Sequence, residues 1–308
     1  MHEIFVPKTF SAEHSSVIDS AVSVIQDYQR QGYDLTLRQL YYQFIANDLF
    51  PDTWFVKLPG GQMTKNHERN YKKLGGILND ARLAGKIDWE AIVDRTRSLT
   101  EWAHEVNVKQ ALQNLHDNYA LDMWTNQPAR VEVWVEKEAL VGVVRRVCAK
   151  YDMPFFACRG YTSASSSYVA YQRVIYRHGQ GQRTIILHLG DHDPSGIDMT
   201  RDIIDRMVQM TRDDEIFEVR RLALNWDQIK KFNPPPSPAK ITDSRAKDYI
   251  ERFGDDSWEL DALKPSSLAN LVDKEVNSIV DWDLWEERGD EQAADKAKLQ
   301  EFINQLEE

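Results

Sequence analysis

The sequence predicts an α/β fold in which a parallel sheet, covered by helices on both faces, follows a helical N-terminal module. Three observations lead there. From Arg130 onward short apolar runs alternate with segments of helical period; before it the chain is helical and locally basic; after Leu224 it becomes proline-rich and then acidic. The 308 residues have room for two domains, and 42% hydrophobic with 28% charged residues is a globular composition that excludes disorder as the default.

Residues 16–31 read as an amphipathic helix, because Val17, Ala21, Val24, Ile25 and Tyr28 recur at helical spacing and Gly32 marks an end. A second helix follows, with Thr36 as N-cap, Gln39 as its capping-box partner, a stripe of Leu40, Phe44 and Ile45, and Phe50-Pro51 as its close. Residues 54–66 read as a loop or short hairpin broken at Pro59-Gly60-Gly61; no Walker lysine accompanies the glycines, so they are a turn and not a phosphate cradle. Residues 70–87 are a third helix, with Tyr71, Leu74, Leu78 and Leu83 toward one side, and Ile87 to Arg97 reads as a short strand region.

The net charge of −11 argues against a basic coat, so any nucleic-acid contact must come from a local patch. One exists between Lys57 and Lys86, where seven basic residues (Lys57, Lys65, Arg69, Lys72, Lys73, Arg82 and Lys86) face two acidic ones, Glu68 and Asp80. From Asp281 to Glu308 ten acidic residues stand against three basic ones. Helix, helix, basic helix and strand pair fit a winged-helix module whose third helix would enter the major groove, although a small helical domain with a solvated basic face fits equally well.

A connecting helix is predicted from Trp102 to Trp124. Then come a strand at VEVWV, a helix from Lys137 to Lys150, a strand at PFFAC and a helix from Ala164 to Tyr176. A buried strand at TIILHL, a helix from Ile197 to Met210 and a strand at IFEVRRLAL complete the alternation. Beyond it NPPPSPAK is an extended loop, WELDALKPSSLANLVDKEV one more helix, and the acidic segment after Trp285 a solvent-facing helix. Cys148 and Cys158, the two cysteines, lack the spacing of a zinc or redox pair and read as core residues. With no run of about 18 apolar residues and no signal-peptide pattern at the start, the expected location is cytoplasmic.

The chemistry concentrates at two strand ends. In LHLGDHDPSG the buried strand ends in Asp191 and Asp193, which at i and i+2 share a side while His192 points away into packing. Glu136 ends the strand VEVWV in the same manner, and strand C-termini are where α/β proteins hold ligands. Three such carboxylates suit Mg²⁺, a hard cation that takes oxygen ligands and assists displacement at phosphate. The competing reading is that they are ordinary N-cap and loop acids; Glu138, in the opening turn of a helix, is explained by the helix dipole alone.

The residues VEVWVEKEAL and LHLGDHDPSGIDM together resemble the Toprim domain in the DNA-cleaving subunit of topoisomerase VI, a type IIB topoisomerase, and in its relative, the meiotic double-strand-break protein. Those proteins carry a Glu-Lys motif and an Asp-x-Asp-Pro-x-Gly motif at these places. LTLRQLYYQF is similar to that family's winged-helix segment, and LNWDQIKKFNPPP to its segment after the domain, so the likeness spans Thr36 to Pro236. The resemblance implies a helical arm over 1–33, a winged-helix DNA-binding domain over 34–98, a connecting helix over 99–127, and a Toprim domain with an acidic extension over 128–308.

For function the resemblance implies Mg²⁺-dependent double-strand cleavage of DNA. Tyr42 is the nucleophile by position, Arg38 its companion, and Glu136, Asp191 and Asp193 hold the metal, with Glu136 also counted as catalytic. It further implies a homodimer, in which the metal site of one protomer meets the tyrosine of another, and a separate ATPase B-type subunit for strand passage. Arg38 and Tyr42 are i and i+4, hence on one helix face, where the arginine can hold a phosphate that the tyrosine attacks. Tyr41 stays open as nucleophile, and two other functions compete: a hydrolytic nuclease in which water attacks, and a non-catalytic DNA-binding module.

Overall fold

The computed structural model describes residues 3–93, 102 and 104–306. Its first helix, α1 (Ala12–Arg30), buries Val17, Ile18, Ala21, Ile25 and Tyr28, and Gly32 follows it at φ +75°, a left-handed conformation that glycine adopts without steric cost. The second, α2 (Leu37–Ala46), has the expected capping box of Thr36 and Gln39 in both directions. It stops before Phe50-Pro51, because Asn47 leaves helical geometry and Asp48 turns to positive φ. The two-residue strands β1 (Val56–Lys57) and β2 (Met63–Thr64) form the short antiparallel hairpin. It leads into α3 (Glu68–Leu83), whose buried residues are Asn70, Leu74, Ile77, Leu78 and Ala81.

The strand region expected from Ile87 is a 3₁₀ turn at Trp89–Ala91, followed by a single parallel bridge between Leu35 and Ile92. Asp88 caps the Glu90 amide, and Arg82 donates to the carbonyls of Trp89 and Ile92, so the turn's backbone groups are satisfied without a ladder. Residues 94–97 of that segment lie outside the described residues. The connecting helix is shorter than expected: α4 (Val108–Asn118) starts at the Asn107 cap and ends where Tyr119 turns extended. Ala103, at the start of the expected span, is outside the described residues.

The mixed α/β core is a four-stranded parallel sheet flanked by helices. Its elements are β3 (Ala129–Val135), α5 (Val141–Lys150), β4 (Phe155–Ala157), α6 (Ala164–Gly179), β5 (Arg183–Leu189), α7 (Pro194–Thr211) and β6 (Phe217–Ala223), with strand order β4-β3-β5-β6. Strand periodicity sorts the faces. Val131, Val133 and Val135 of β3 and Ile185, Leu187 and Leu189 of β5 pack with α5, while Trp134 and Ile186 pack against α6 and α7 with Ala170, Val174, Ile203 and Met207.

The C-terminal region adds elements the sequence pattern did not disclose. They are α8 (Trp226–Phe232), a two-stranded ladder of β7 (Ser237–Pro238) with β8 (Asp256–Ser257), and between those strands α9 (Ala246–Phe253). The helix expected over residues 258–276 begins only at α10 (Pro265–Asn277). Before it, Leu260–Ala262 forms a 3₁₀ turn, since the residue preceding a proline is driven from helical geometry. Helix α10 joins α5 on its face of the sheet, and α11 (Trp282–Gln305) forms the acidic helix at the end and packs on α4. Among the described residues no helix is long and apolar enough to cross a membrane.

The N-terminal helices form their own core around Leu40, Phe44, Trp54, Leu74 and Leu78. Ala262 of the 3₁₀ turn belongs to it, so α2 docks on the segment that precedes α10. That docking places the N-terminal module beside the C-terminal edge of the sheet.

Candidate active site at the strand ends

Strands β3 and β5 are parallel neighbours in register from Ala129 with Arg183 to Val135 with Leu189, so Glu136 and the loop 190–193 leave the sheet side by side. The Glu136 amide donates to the Leu189 carbonyl at 2.8 Å, and its Oε2 accepts from the Asp191 amide at 2.8 Å. Gly190 sits close under the site: a Cβ there would stand 3.0 Å from Glu136 Oε2 and press on that carboxylate. Gly196 is tighter still, with a hypothetical Cβ 2.3 Å from the Asp191 carbonyl oxygen, so the first turn of α7 lies directly on the acidic loop.

Each acid has a different set of partners. Asp191 is buried; its Oδ1 accepts from the Leu260 amide at 2.8 Å and its Oδ2 lies 2.9 Å from Lys137 Nζ. Burial, with the charges of Glu136 and Asp261 added, pushes it up to about 7 against the pull of Lys137. Burial likewise raises Glu136, and the charge of Asp193 adds to it. Asp193 is the N-cap of α7, its Oδ1 accepting from the Gly196 amide and the Ser195 hydroxyl at 2.9 Å. His192 faces away as expected, packed among Trp226, Tyr249, Phe253 and Trp258 with Nδ1 2.8 Å from the Tyr249 hydroxyl, and burial brings it down to about 4.

Arg221 underlies the loop. Its guanidinium donates to the carbonyls of Asp191 at 2.6 Å and Gly196 at 2.8 Å and to the Thr200 hydroxyl at 2.9 Å. Burial lowers it to about 10, while the charges of Glu136, Asp191 and Asp193 hold it up.

Helix α2 brings Arg38 and Tyr42 to the same edge within one chain. Arg38 Nη2 lies 2.7 Å from Glu259 and its Nε 3.0 Å from Asp261; Lys137 Nζ lies 2.7 Å from Glu259 and 2.9 Å from Asp261. The Arg38 guanidinium stands 5.8 Å from the Tyr42 ring centre, and the Tyr42 phenol lies within the electrostatic reach of the Glu259 and Asp261 carboxylates. Burial and the charges of Asp261 and Glu259 raise the phenol far above its ordinary range. Tyr41 points elsewhere: its hydroxyl accepts from the His67 amide at 2.7 Å and donates to Asn66 at 3.0 Å.

Strand-end position singled out Glu136, Asp191 and Asp193 as site residues and the family resemblance added Arg38 and Tyr42, and all five stand at this edge. Both missed Lys137, Glu259, Asp261 and Arg221 as members. A signal for the middle pair exists in WELDAL, where acids alternate with the buried Trp258, Leu260 and Ala262, a period of two inside a span expected to be helical.

As placed, no group of three or more His, Cys, Asp or Glu side chains among the described residues is arranged to hold a metal ion. The reason is visible in the partners: Asp191 spends both oxygens on Lys137 and Leu260. Glu136 Oε1 and Asp193 Oδ2 have no hydrogen bond among the described residues, and one or two carboxylates with waters and phosphate are a normal Mg²⁺ ligand set. Counted as ionised, Glu136, Asp191, Asp193, Glu259 and Asp261 outnumber Arg38, Lys137 and Arg221 by two charges, a deficit one divalent cation would cancel.

The basic patch is less open than its residue count. Lys65 is buried with Asp48, Asp52 and the Phe50 carbonyl, Lys73 meets Glu13 and the Trp54 ring, and Arg82 is turned onto backbone carbonyls. Lys57, Arg69 and Lys86 are exposed, and among the described residues Lys72 is held by an exposed pair with Glu68, which a phosphate can replace at little cost. No family model matches the chain, and no curated protein matches it.

Proposed function

We propose that this chain cleaves double-stranded DNA by tyrosine transesterification with Mg²⁺, as a compact relative of the topoisomerase VI cleavage subunit built from a winged-helix and a Toprim domain. The observation that carries the reading is the convergence of Arg38 and Tyr42 with Glu136, Asp191 and Asp193 at one edge of a parallel sheet. Supporting it are the parallel sheet with helices on both faces and the exposed Lys57, Arg69, Lys72 and Lys86 around the basic third helix.

In this reading Arg38 positions a backbone phosphate and the Tyr42 oxygen attacks phosphorus. A phosphotyrosyl bond forms, the bond to one deoxyribose oxygen breaks, and the phenol proton ends on that oxygen, so the step is reversible and resealing needs no external energy. Glu136 and Asp193, with Asp191 once released from Lys137, would hold Mg²⁺, which supplies charge stabilisation on the phosphate oxygens. A homodimer and a separate ATPase subunit belong to the same proposal, although Arg38 and Tyr42 stand beside the carboxylates of their own chain and not, as the resemblance implied, only across protomers.

One observation favours a second reading, a nuclease in which water attacks: Tyr42 is buried, and burial with the charges of Asp261 and Glu259 raises its phenol far above the ordinary range. The experiment is supercoiled plasmid with Mg²⁺, stopped with detergent. Cut DNA carrying covalent protein, lost in Tyr42→Phe, supports transesterification; cutting by Tyr42→Phe without attachment replaces it with hydrolysis. No cutting under any Mg²⁺ condition leaves only a DNA-binding role.

A further inference from the structure

We infer that Glu259 is an internal stand-in for a DNA phosphate, and that Arg38 and Lys137 form the cationic fork which that phosphate takes over. The inference rests on the DNA-cleaving reading and deepens it by adding Lys137 to the phosphate site and giving Glu259 a restraining role. The geometry lies in one oxygen. Glu259 Oε2 is 2.7 Å from Arg38 Nη2 and 2.7 Å from Lys137 Nζ, and Tyr42, whose ring centre is 5.8 Å from the Arg38 guanidinium, stands beside them. An arginine and a lysine on one anionic oxygen, with a tyrosine beside them, are groups a phosphoryl oxygen meets in a tyrosine transfer, and guanidinium groups bind carboxylate and phosphate alike.

The two acids of the network are not equivalent. Asp261 is fully shielded at 0% side-chain exposure, whereas Glu259 is 25% and Arg38 49% exposed. Asp261 therefore anchors Arg38 and Lys137 from beneath, and Glu259 closes the side that opens to solvent. Arg38 also lines two cavities. One of about 190 Å³ is shared with Tyr41, Tyr42 and Asn66, and one of about 470 Å³ with Tyr71, Asn79 and Arg82. These cavities give a phosphodiester space to reach Arg38. Until then Glu259 occupies the cationic fork, which restrains cleavage in the absence of DNA.

The test is binding of a short labelled DNA duplex in EDTA over a salt series, comparing wild type, Glu259→Gln and the remote equal-charge control Glu301→Gln. The expected result is binding about tenfold tighter for Glu259→Gln than for the control, with a salt slope steeper by about 1, as one freed phosphate contact requires. Glu259→Asp, which keeps the charge but draws it back from Arg38, should fall between and serves if the glutamine variant does not fold. Lys137→Met combined with Glu259→Gln should remove the gain. Binding by Glu259→Gln equal to or weaker than the control, while wild type binds, overturns the stand-in and leaves the DNA reading intact. Absence of binding by every variant overturns both.

Discussion

Glu132 and Glu136 lie four residues apart on one face of the same strand run, the first buried and the second half-buried, yet their surroundings oppose each other. Glu132 takes Arg173 at 2.8 and 2.9 Å, Arg177 at 2.6 Å and the Trp134 indole at 2.8 Å, and these partners outweigh burial to hold its carboxyl below the usual range. Glu136 has one backbone amide and lies among other acids, and burial raises it. A buried carboxylate with its charge matched by neighbours is a structural device; one left short of positive charge is poised for a cation from outside. The face of β3 passes from the first condition to the second as it reaches the strand's C-terminal end.

That contrast can be broken from either side. The largest effect is expected from Glu132→Ala, which strands two arginines around an empty site: a loss of about 3 kcal/mol in urea unfolding, unchanged by Mg²⁺. A stability loss under 1 kcal/mol would show that Glu132 is not the matched acid described. Next is Gly196→Ala, whose added methyl meets the Asp191 carbonyl; we expect about 2 kcal/mol of destabilisation together with loss of plasmid cutting, because the acidic loop must shift.

Glu136→Gln should do the reverse of Glu132→Ala. Stability holds within about 1 kcal/mol or rises, since an under-compensated charge is removed, while any rise of Tm with Mg²⁺ disappears. A Mg²⁺ response that survives the change would remove Glu136 from the metal site. Tyr42→Phe gives the smallest stability change, under about 0.5 kcal/mol, and on the transesterase reading complete loss of covalent attachment.

pH sharpens the same comparison. Glu132 is lowered on folding, so the unfolded chain binds its proton more readily; its contribution is present above the ordinary glutamate range and is lost as pH falls through its depressed value. Urea midpoints measured downward from pH 5 should therefore fall in wild type and fall less steeply in Glu132→Ala. Equal slopes would mean that the arginines do not set the charge of Glu132.

Much of this was legible before any tertiary contact was known. The capping box at Thr36, the hairpin at Pro59-Gly60-Gly61 and the βα alternation from β3 to β6 follow from spacing, because local backbone preference and burial period act within a few residues. Elements α8 and α9 and the break before Pro265 were not, since a short helix between proline-rich turns buries too few residues to show a period.

The sequence by itself determined that acids end two strands of a sheet and that Arg38 and Tyr42 share a helix face. Only the tertiary structure decided that the two strands are neighbours, that α2 rests on the turn at Leu260–Ala262, and that Glu259 and Asp261 bridge Arg38 to Lys137. The reason is physical: a carboxylate's partners can come from anywhere along the chain, and here Asp261 is 223 residues from Arg38. Residue type and spacing place an acid at a strand end, but whether it is matched, as Glu132 is, or left short, as Glu136 is, depends on charges that only folding brings together.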